Sequence, residues 1–278
     1  MFFILSLFLP ILTGVGVFLL IFLNNLPWWL ALILGILAAA LCLCIICVII
    51  ILALHFRGKY FKEHPDYLEK KRWRLMNDAS RFSCFWLGLS IKKVGLEKLP
   101  KGENVIFYSN HMHFSDIIVY DLVLKDYPRG SMFKKEFEHN FIFGDMAVGL
   151  GGVSVDRSND RSAAMSVIEI IKRVKNGSSF MIYPEGTRNK EGIIGAYHPG
   201  SFKVAMKTEK PIVVMYIDYS KKISPSMPFL PTKVYVEVVD VLYYDDYKDI
   251  PTVELAEKVH NMAMETMNKR REEIKYLR

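Results

Sequence analysis

The string Asn110-His111-Met112-His113-Phe114-Ser115-Asp116 places two imidazoles and a carboxylate directly after an apolar run. A histidine held by a carboxylate is the usual device for fixing an imidazole tautomer and stabilising its protonated form while it takes a proton from a hydroxyl. His111 and Asp116 stand at i and i+5, about 140° apart on a regular helix, so they meet only if His111 precedes the helix proper. His113 and Asp116, at i and i+3, pair more naturally by spacing, and periodicity does not choose between the two histidines. Helix capping is the bland reading of the same residues. Alternating histidines with a carboxylate also build metal sites, so a metal-dependent membrane hydrolase using His111, His113 and Asp116 is an alternative from another class, although further ligands are not evident.

Two more loops carry chemistry. Tyr183-Pro184-Glu185-Gly186-Thr187-Arg188 follows a second apolar run and sets a glycine, a hydroxyl and a guanidinium close together. Arginine offers a planar fork that matches phosphate oxygens, and glycine lets backbone N–H groups approach an anion. Val155-Asp156-Arg157 puts another arginine just past a short apolar run. Lys134 and Lys135 are further candidates for an anion, with a solvated basic face as the equal alternative.

These loops need elements to hold them. Residues 105–108, 132–133, 153–155, 180–183, 212–217 and 234–239 read as strands rich in β-branched and aromatic residues. Residues 116–124, 160–175 and 253–276 read as helices, the second closed by Asn176-Gly177. Strands alternating with helices predict an α/β domain with a largely parallel central sheet flanked by helices. In such folds the junctions of strand and helix carry ligands and catalytic groups, and His111 falls at one of them.

The front of the chain is different. No Asp, Glu, Lys or Arg occurs in residues 1–56, so the whole formal charge of +7 lies on the remainder. Residues 2–23 and 28–55 each exceed the ~20 apolar residues that a bilayer core requires, with Asn24, Asn25, Leu26 and Pro27 between them. They predict a transmembrane helical hairpin. A cleaved signal peptide is disfavoured, since no basic stretch precedes the apolar run and no small-x-small site ends it. Arg57, Lys59, Lys62, Lys70, Lys71, Arg72 and Arg74 follow the second span, which predicts an integral membrane protein with its body on the cytoplasmic face. Phe82, Phe85, Trp86 and Leu89 recur at helical spacing behind those cations. The pattern fits either a core-facing helix or an amphipathic segment in the headgroup layer, and the adjacent hairpin favours the membrane. The expected organisation is a hairpin over 1–56, basic amphipathic interfacial helices over 57–95 and an α/β catalytic domain over 96–278. Cys42, Cys44, Cys47 and Cys84 make neither a metal-type pair nor a disulfide framework. The basic body lacks any recognised nucleic-acid module, and a lipid surface accounts for its charge.

Taken together, the three blocks resemble the 1-acylglycerol-3-phosphate acyltransferases and their glycerol-3-phosphate acyltransferase relatives. Asn110, His111 and Asp116 match the first block of that family, Val155-Asp156-Arg157 the second, and Pro184-Glu185-Gly186-Thr187-Arg188 the third. The resemblance covers roughly residues 102–218. It implies His111 as general base oriented by Asp116, backbone N–H groups near Glu185, Gly186 and Thr187 as oxyanion donors, and Arg188 with Arg157 on the acceptor phosphate. It also implies lysophosphatidic acid as acceptor and acyl-coenzyme A or acyl carrier protein as donor substrate, with membrane lipids around it and no cofactor or metal. Acylation of glycerol 3-phosphate or another lysophospholipid is the nearest alternative. Two departures touch substrate detail: 211–215 supplies one proline where the family's fourth block usually has two, and Tyr197-His198-Pro199-Gly200 replaces a Phe-Lys-x-Gly pattern.

Overall fold

A computed structural model describes residues 2–25, 27–66, 71–141, 143–156, 160–189, 192–219 and 231–277. Helices α1 (Phe2–Leu23) and α2 (Trp28–Glu63) form the expected hairpin. They approach most closely at Gly14 and Gly35, where a Cβ on Gly35 would lie 2.8 Å from the Gly14 carbonyl oxygen. Both are long and apolar enough to cross a membrane, and little of their surface is covered by protein. A helix that is apolar on every side and uncovered needs lipid around it.

The expected boundary at residue 56 falls inside a continuous helix, because α2 carries Arg57, Lys59 and Lys62 on to Glu63. It stops where His64 precedes Pro65, a position from which the proline ring excludes the helical region. Helix α3 (Arg72–Trp86) turns back along it. One side of this segment, favoured above for the headgroup layer, faces protein: Trp73, Met76, Ala79, Ser80 and Cys84 are buried, while Arg74, Arg81 and Phe85 are exposed. Arg72 is buried as well and donates to the carbonyls of Phe61 and His64, supplying partners that the end of α2 otherwise lacks.

Next come β1 (Leu89–Val94), β2 (Ile106–Ser109), α4 (Asp116–Val123), β3 (Arg129–Lys134), α5 (Gly144–Gly149), β4 (Val153–Val155) and α6 (Asp160–Lys175). They are followed by β5 (Ser179–Ile182), α7 (Lys203–Thr208), β6 (Ile212–Tyr219), β7 (Thr232–Leu242) and α8 (Thr252–Glu273). The strands form one sheet in the order β1-β7-β6-β2-β5-β3-β4, in which every pairing is parallel except β6 with β7. The α/β expectation therefore holds, with one revision. Strand β1 belongs to the sheet but lies within 57–95, so the sheet begins before the expected boundary at 96. Its alternation of half-buried and exposed residues marks an edge strand, a weaker signal than the fully buried runs of β2 and β5.

Side chains alternate across the sheet. Ile106, Tyr108, Phe180 and Ile182 pack in one cluster with residues of α6, α7 and α8, while Val105, Phe107 and Met181 pack in another with Val119 and Tyr120 of α4. The parallel strands β2 and β5 thus send their following loops out of the same edge, which is where His111 and Glu185 emerge.

One buried polar network joins α3, α4 and β3. Arg129 donates to Asp121 at 3.0 Å, Ser80 donates to the other Asp121 oxygen at 3.1 Å, and the guanidinium stacks over Trp73. Burial pushes the Asp121 carboxyl up, and Arg129 opposes that push. Removing one member of such a pair strands the other, so Arg129→Ala is expected to destabilise the fold by about 3 kcal/mol in denaturant unfolding of the detergent-solubilised protein. An unchanged midpoint would show that the network is structurally dispensable.

Candidate active site

Six residues, 110–115, separate the end of strand β2 from the start of α4 in a compact loop, and three side chains lock it. Asn110 grips the backbone of β6 with both ends of its amide, donating to the Ile217 carbonyl and accepting from the Ile217 N–H at 2.9 Å each. Asp116, fully buried at the first position of α4, turns back into the loop. Its Oδ2 accepts from His111 Nδ1 at 2.7 Å, from the Met112 N–H at 2.8 Å and from the His113 N–H at 3.1 Å. Its Oδ1 accepts from the Tyr219 hydroxyl at 2.5 Å. Four donors and the positive end of a helix hold this carboxylate in one orientation.

The two histidines are thereby told apart. His111 precedes the helix, as pairing with Asp116 requires, and its Nδ1–H points at the carboxylate, so Nε2 is the nitrogen left to accept a proton. The Tyr183 ring stacks on the imidazole with centroids 4.1 Å apart, and only 14% of the His111 side chain is exposed. His113 offers Asp116 its backbone, while its ring nitrogen Nδ1 accepts from the Ser115 N–H and lies 2.9 Å from the Ser115 hydroxyl. Burial pushes His113 down, the Asp116 carboxylate opposes this, and the neighbouring Arg188 adds to the lowering. The His113 cation is accordingly disfavoured. Its pairing with Asp116 through the ring, natural by spacing, does not occur because the carboxylate is saturated by the loop backbone.

The loop after β5 is laced to the first. Glu185 Oε1 accepts from the His111 N–H and Oε2 from the Gly195 N–H, both at 2.8 Å, and the Asn189 N–H donates to the His111 carbonyl at 2.8 Å. Burial pushes the Glu185 carboxyl up, and the two backbone donors counter it. Glu185 therefore ties backbone to backbone. Gly186 has φ +68°, a left-handed conformation, and a Cβ there would meet the His198 ring at 3.2 Å, so glycine is required twice over. Its N–H donates to the Tyr183 carbonyl, which removes it from the set of candidate oxyanion donors. Thr187 and Arg188 are exposed at the tip.

Known proteins match both levels. Residues 90–218 fit the family model described as Acyltransferase, a span that holds every block of the site. The 1-acyl-sn-glycerol-3-phosphate acyltransferase of Borreliella burgdorferi is 29% identical over 63% of this chain and 71% of its own. The chloroplastic enzyme of the same name, BAT2, from Brassica napus is 28% identical over 67% of this chain and 55% of its own. Over residues 90–218 the chain is similar to the acyltransferases.

The crystal structure of the 1-acyl-sn-glycerophosphate acyltransferase PlsC from Thermotoga maritima superposes on this chain with a TM-score of 0.64 at 23% identity, covering 79% of this chain and 90% of that one, a likeness of fold. Of the residues singled out from the sequence, His111, Asp116, Glu185, Gly186, Thr187 and Arg188 share two interlocked loops. Arg157 lies outside the described residues. Lys134 pairs with Glu136, and Lys135 stands 3.7 Å from Asp156, both at exposed positions that suit a solvated face. Tyr183, Tyr219 and Asn110 act on the site without having been assigned a role from sequence. For Tyr219 no local signal existed, because its partner Asp116 is distant in the chain and is reached only through the sheet.

Proposed function

We propose that this protein moves a fatty acyl group from a thioester to the free hydroxyl of 1-acylglycerol 3-phosphate, giving phosphatidic acid. The observation that carries the reading is the oriented His111–Asp116 couple, whose Nε2 has no hydrogen-bond partner among the described residues, together with the exposed Arg188 in the adjoining loop. The acceptor hydroxyl gives its proton to His111 Nε2 as its oxygen attacks the thioester carbonyl, and the imidazolium is held by Asp116. The tetrahedral oxyanion then collapses, the carbon–sulfur bond breaks, and the thiolate takes the proton back. Amides at the exposed Thr187–Arg188 tip are the candidate oxyanion donors, given that the Gly186 amide is already committed. The donor is acyl-coenzyme A or acyl carrier protein.

Arg188 is assigned to the acceptor phosphate. Lysine keeps the charge but not the two parallel N–H bonds, so Arg188→Lys is expected to raise the acceptor KM about tenfold and to leave the donor KM nearly unchanged. A lower kcat at constant acceptor KM would move Arg188 to the transition state instead.

The metal alternative fits the geometry poorly. Asp116 has no exposure and already accepts four hydrogen bonds, His113 Nδ1 faces Ser115, and among the described residues no group of three His, Cys, Asp or Glu side chains is placed to hold an ion. Feeding the purified enzyme labelled glycerol 3-phosphate and labelled 1-acylglycerol 3-phosphate in parallel with a thioester donor tests the acceptor. Preference for the unacylated compound would overturn it.

The hairpin keeps the protein in the membrane, with the turn at Asn25 on the outer side and the catalytic body in the cytoplasm, as the cations after Phe56 indicate. In intact cells an impermeant thiol reagent is expected to label Asn25→Cys and to miss Lys62→Cys. The reverse pattern would invert the topology.

A further inference from the structure

From Trp28, ~20 residues suffice to cross the hydrocarbon core, which brings α2 to about Cys47. The helix nevertheless continues to Glu63, and its full length of 36 residues is about 54 Å, more than the ~45 Å of a bilayer with headgroups. Beyond Cys47 its two sides differ. Ile50, Leu54, Gly58 and Phe61 are buried, and the Gly58 side lies directly against Met146 of α5. On the opposite side Val48, Ile49, Leu52, Phe56 and Tyr60 are exposed, within a sector of about 120° whose one exposed cation is Lys59.

That apolar stripe continues onto the catalytic body. His55 stacks on Phe141 with ring centroids 4.1 Å apart and is hydrogen-bonded to the Phe141 carbonyl at 2.9 Å. Phe141 is 58% exposed, and its loop neighbours Phe137 and Phe143 are 54% and 47% exposed. Three large exposed phenylalanines in one loop, interspersed with exposed Lys135, Glu136 and His139, are unusual for a surface that meets only water. The loop follows β3, which runs parallel to β5, and so emerges at the same sheet edge as His111 and Glu185.

We propose that Phe137, Phe141 and Phe143 form a third membrane contact that dips into the lipid headgroup and upper acyl layer, with the hairpin tilted so that the outer stripe of α2 as far as Tyr60 is covered by lipid. The occupant is the bilayer itself, because the patch is continuous with the helices that span it. Tilt resolves the excess length of α2, and the exposed Arg57 and Lys59 reach headgroup phosphates from the submerged helix. The active-site edge then faces the membrane, and an acceptor lipid reaches His111 without leaving the layer that holds its chain.

The test uses the full-length protein with its four cysteines replaced by alanine, reconstituted in vesicles of phosphatidylcholine and phosphatidylglycerol. Single cysteines at Phe143→Cys, Phe137→Cys, Leu52→Cys and Asp249→Cys carry an environment-sensitive fluorophore. Asp249 is exposed beyond β7 at the opposite edge of the sheet and serves as the aqueous reference. Labels at 143 and 137 are expected to be quenched by nitroxide lipids within about twofold of the label at 52, and to be shielded several-fold from iodide relative to 249. Iodide access at both loop positions equal to that at 249 would overturn the proposal. The measurement needs no turnover, so its outcome is independent of the acyl-transfer assignment.

Discussion

Replacing His111 with alanine is expected to lower acyl transfer by about 10²- to 10⁴-fold, the usual worth of general-base assistance, whereas His113→Ala should keep most of the activity. The asymmetry follows from the atoms. Nδ1 of His111 is spent on Asp116 and its Nε2 is left to take a proton, while His113 spends Nδ1 on Ser115 and stands near a guanidinium that disfavours its cation. A histidine whose cation is disfavoured in that way is a weaker base for an acceptor hydroxyl. The measurement is kcat with a thioester donor, accompanied by a check that each variant still inserts and unfolds like the parent. Chelator dialysis adds a second arm and is expected to change nothing. Near-normal turnover of His111→Ala in a folded enzyme would remove the base assignment, and equal loss in both variants with chelator sensitivity would restore the metal alternative.

How much of this was legible in the residue string depends on the range of the contacts concerned. The apolar hairpin announced itself through 56 residues without a formal charge, and the fully buried strands β2, β5 and β6 through unbroken apolar runs. Edge strand β1 and the six-residue helices α5 and α7 were too short or too mixed to leave a period. Within the site, residue types and order pointed to His111, Asp116 and the Glu185–Arg188 loop, yet spacing could not decide which histidine the carboxylate would hold. That decision rests on the backbone N–H groups of Met112 and His113, which turn toward Asp116 only once the loop is closed. Tyr219 and Ile217 come from β6, and their approach to the loop is a product of strand order, which no local window contains. Glu185 is the instructive case. Its neighbours place it in a loop suited to an anion and name no partner for its carboxylate, whereas the fold uses both oxygens to staple the His111 loop to Gly195.

Asp116→Asn is expected to reduce kcat almost as far as His111→Ala, toward the ~10⁴-fold that loss of the carboxylate in a His–Asp couple can reach. The amide is nearly the same shape, and its oxygen can still accept from Met112 and His113, so the loop should close and the protein should fold. Its NH₂ would then face the Tyr219 hydroxyl, which can rotate to accept. What the amide cannot supply is the charge that stabilises the His111 imidazolium formed during transfer. A role confined to holding the loop would instead lower the unfolding midpoint, and kcat of the protein that remains folded would be unchanged. Tyr219→Phe grades the argument. It deletes one of four hydrogen bonds to the carboxylate and keeps the charge, and a bond to a charged group is worth about 1.5 kcal/mol or somewhat more. Turnover should then fall about tenfold, well short of the Asn variant. Equal losses in the two variants would mean that orientation of Asp116, and not its charge, governs the base.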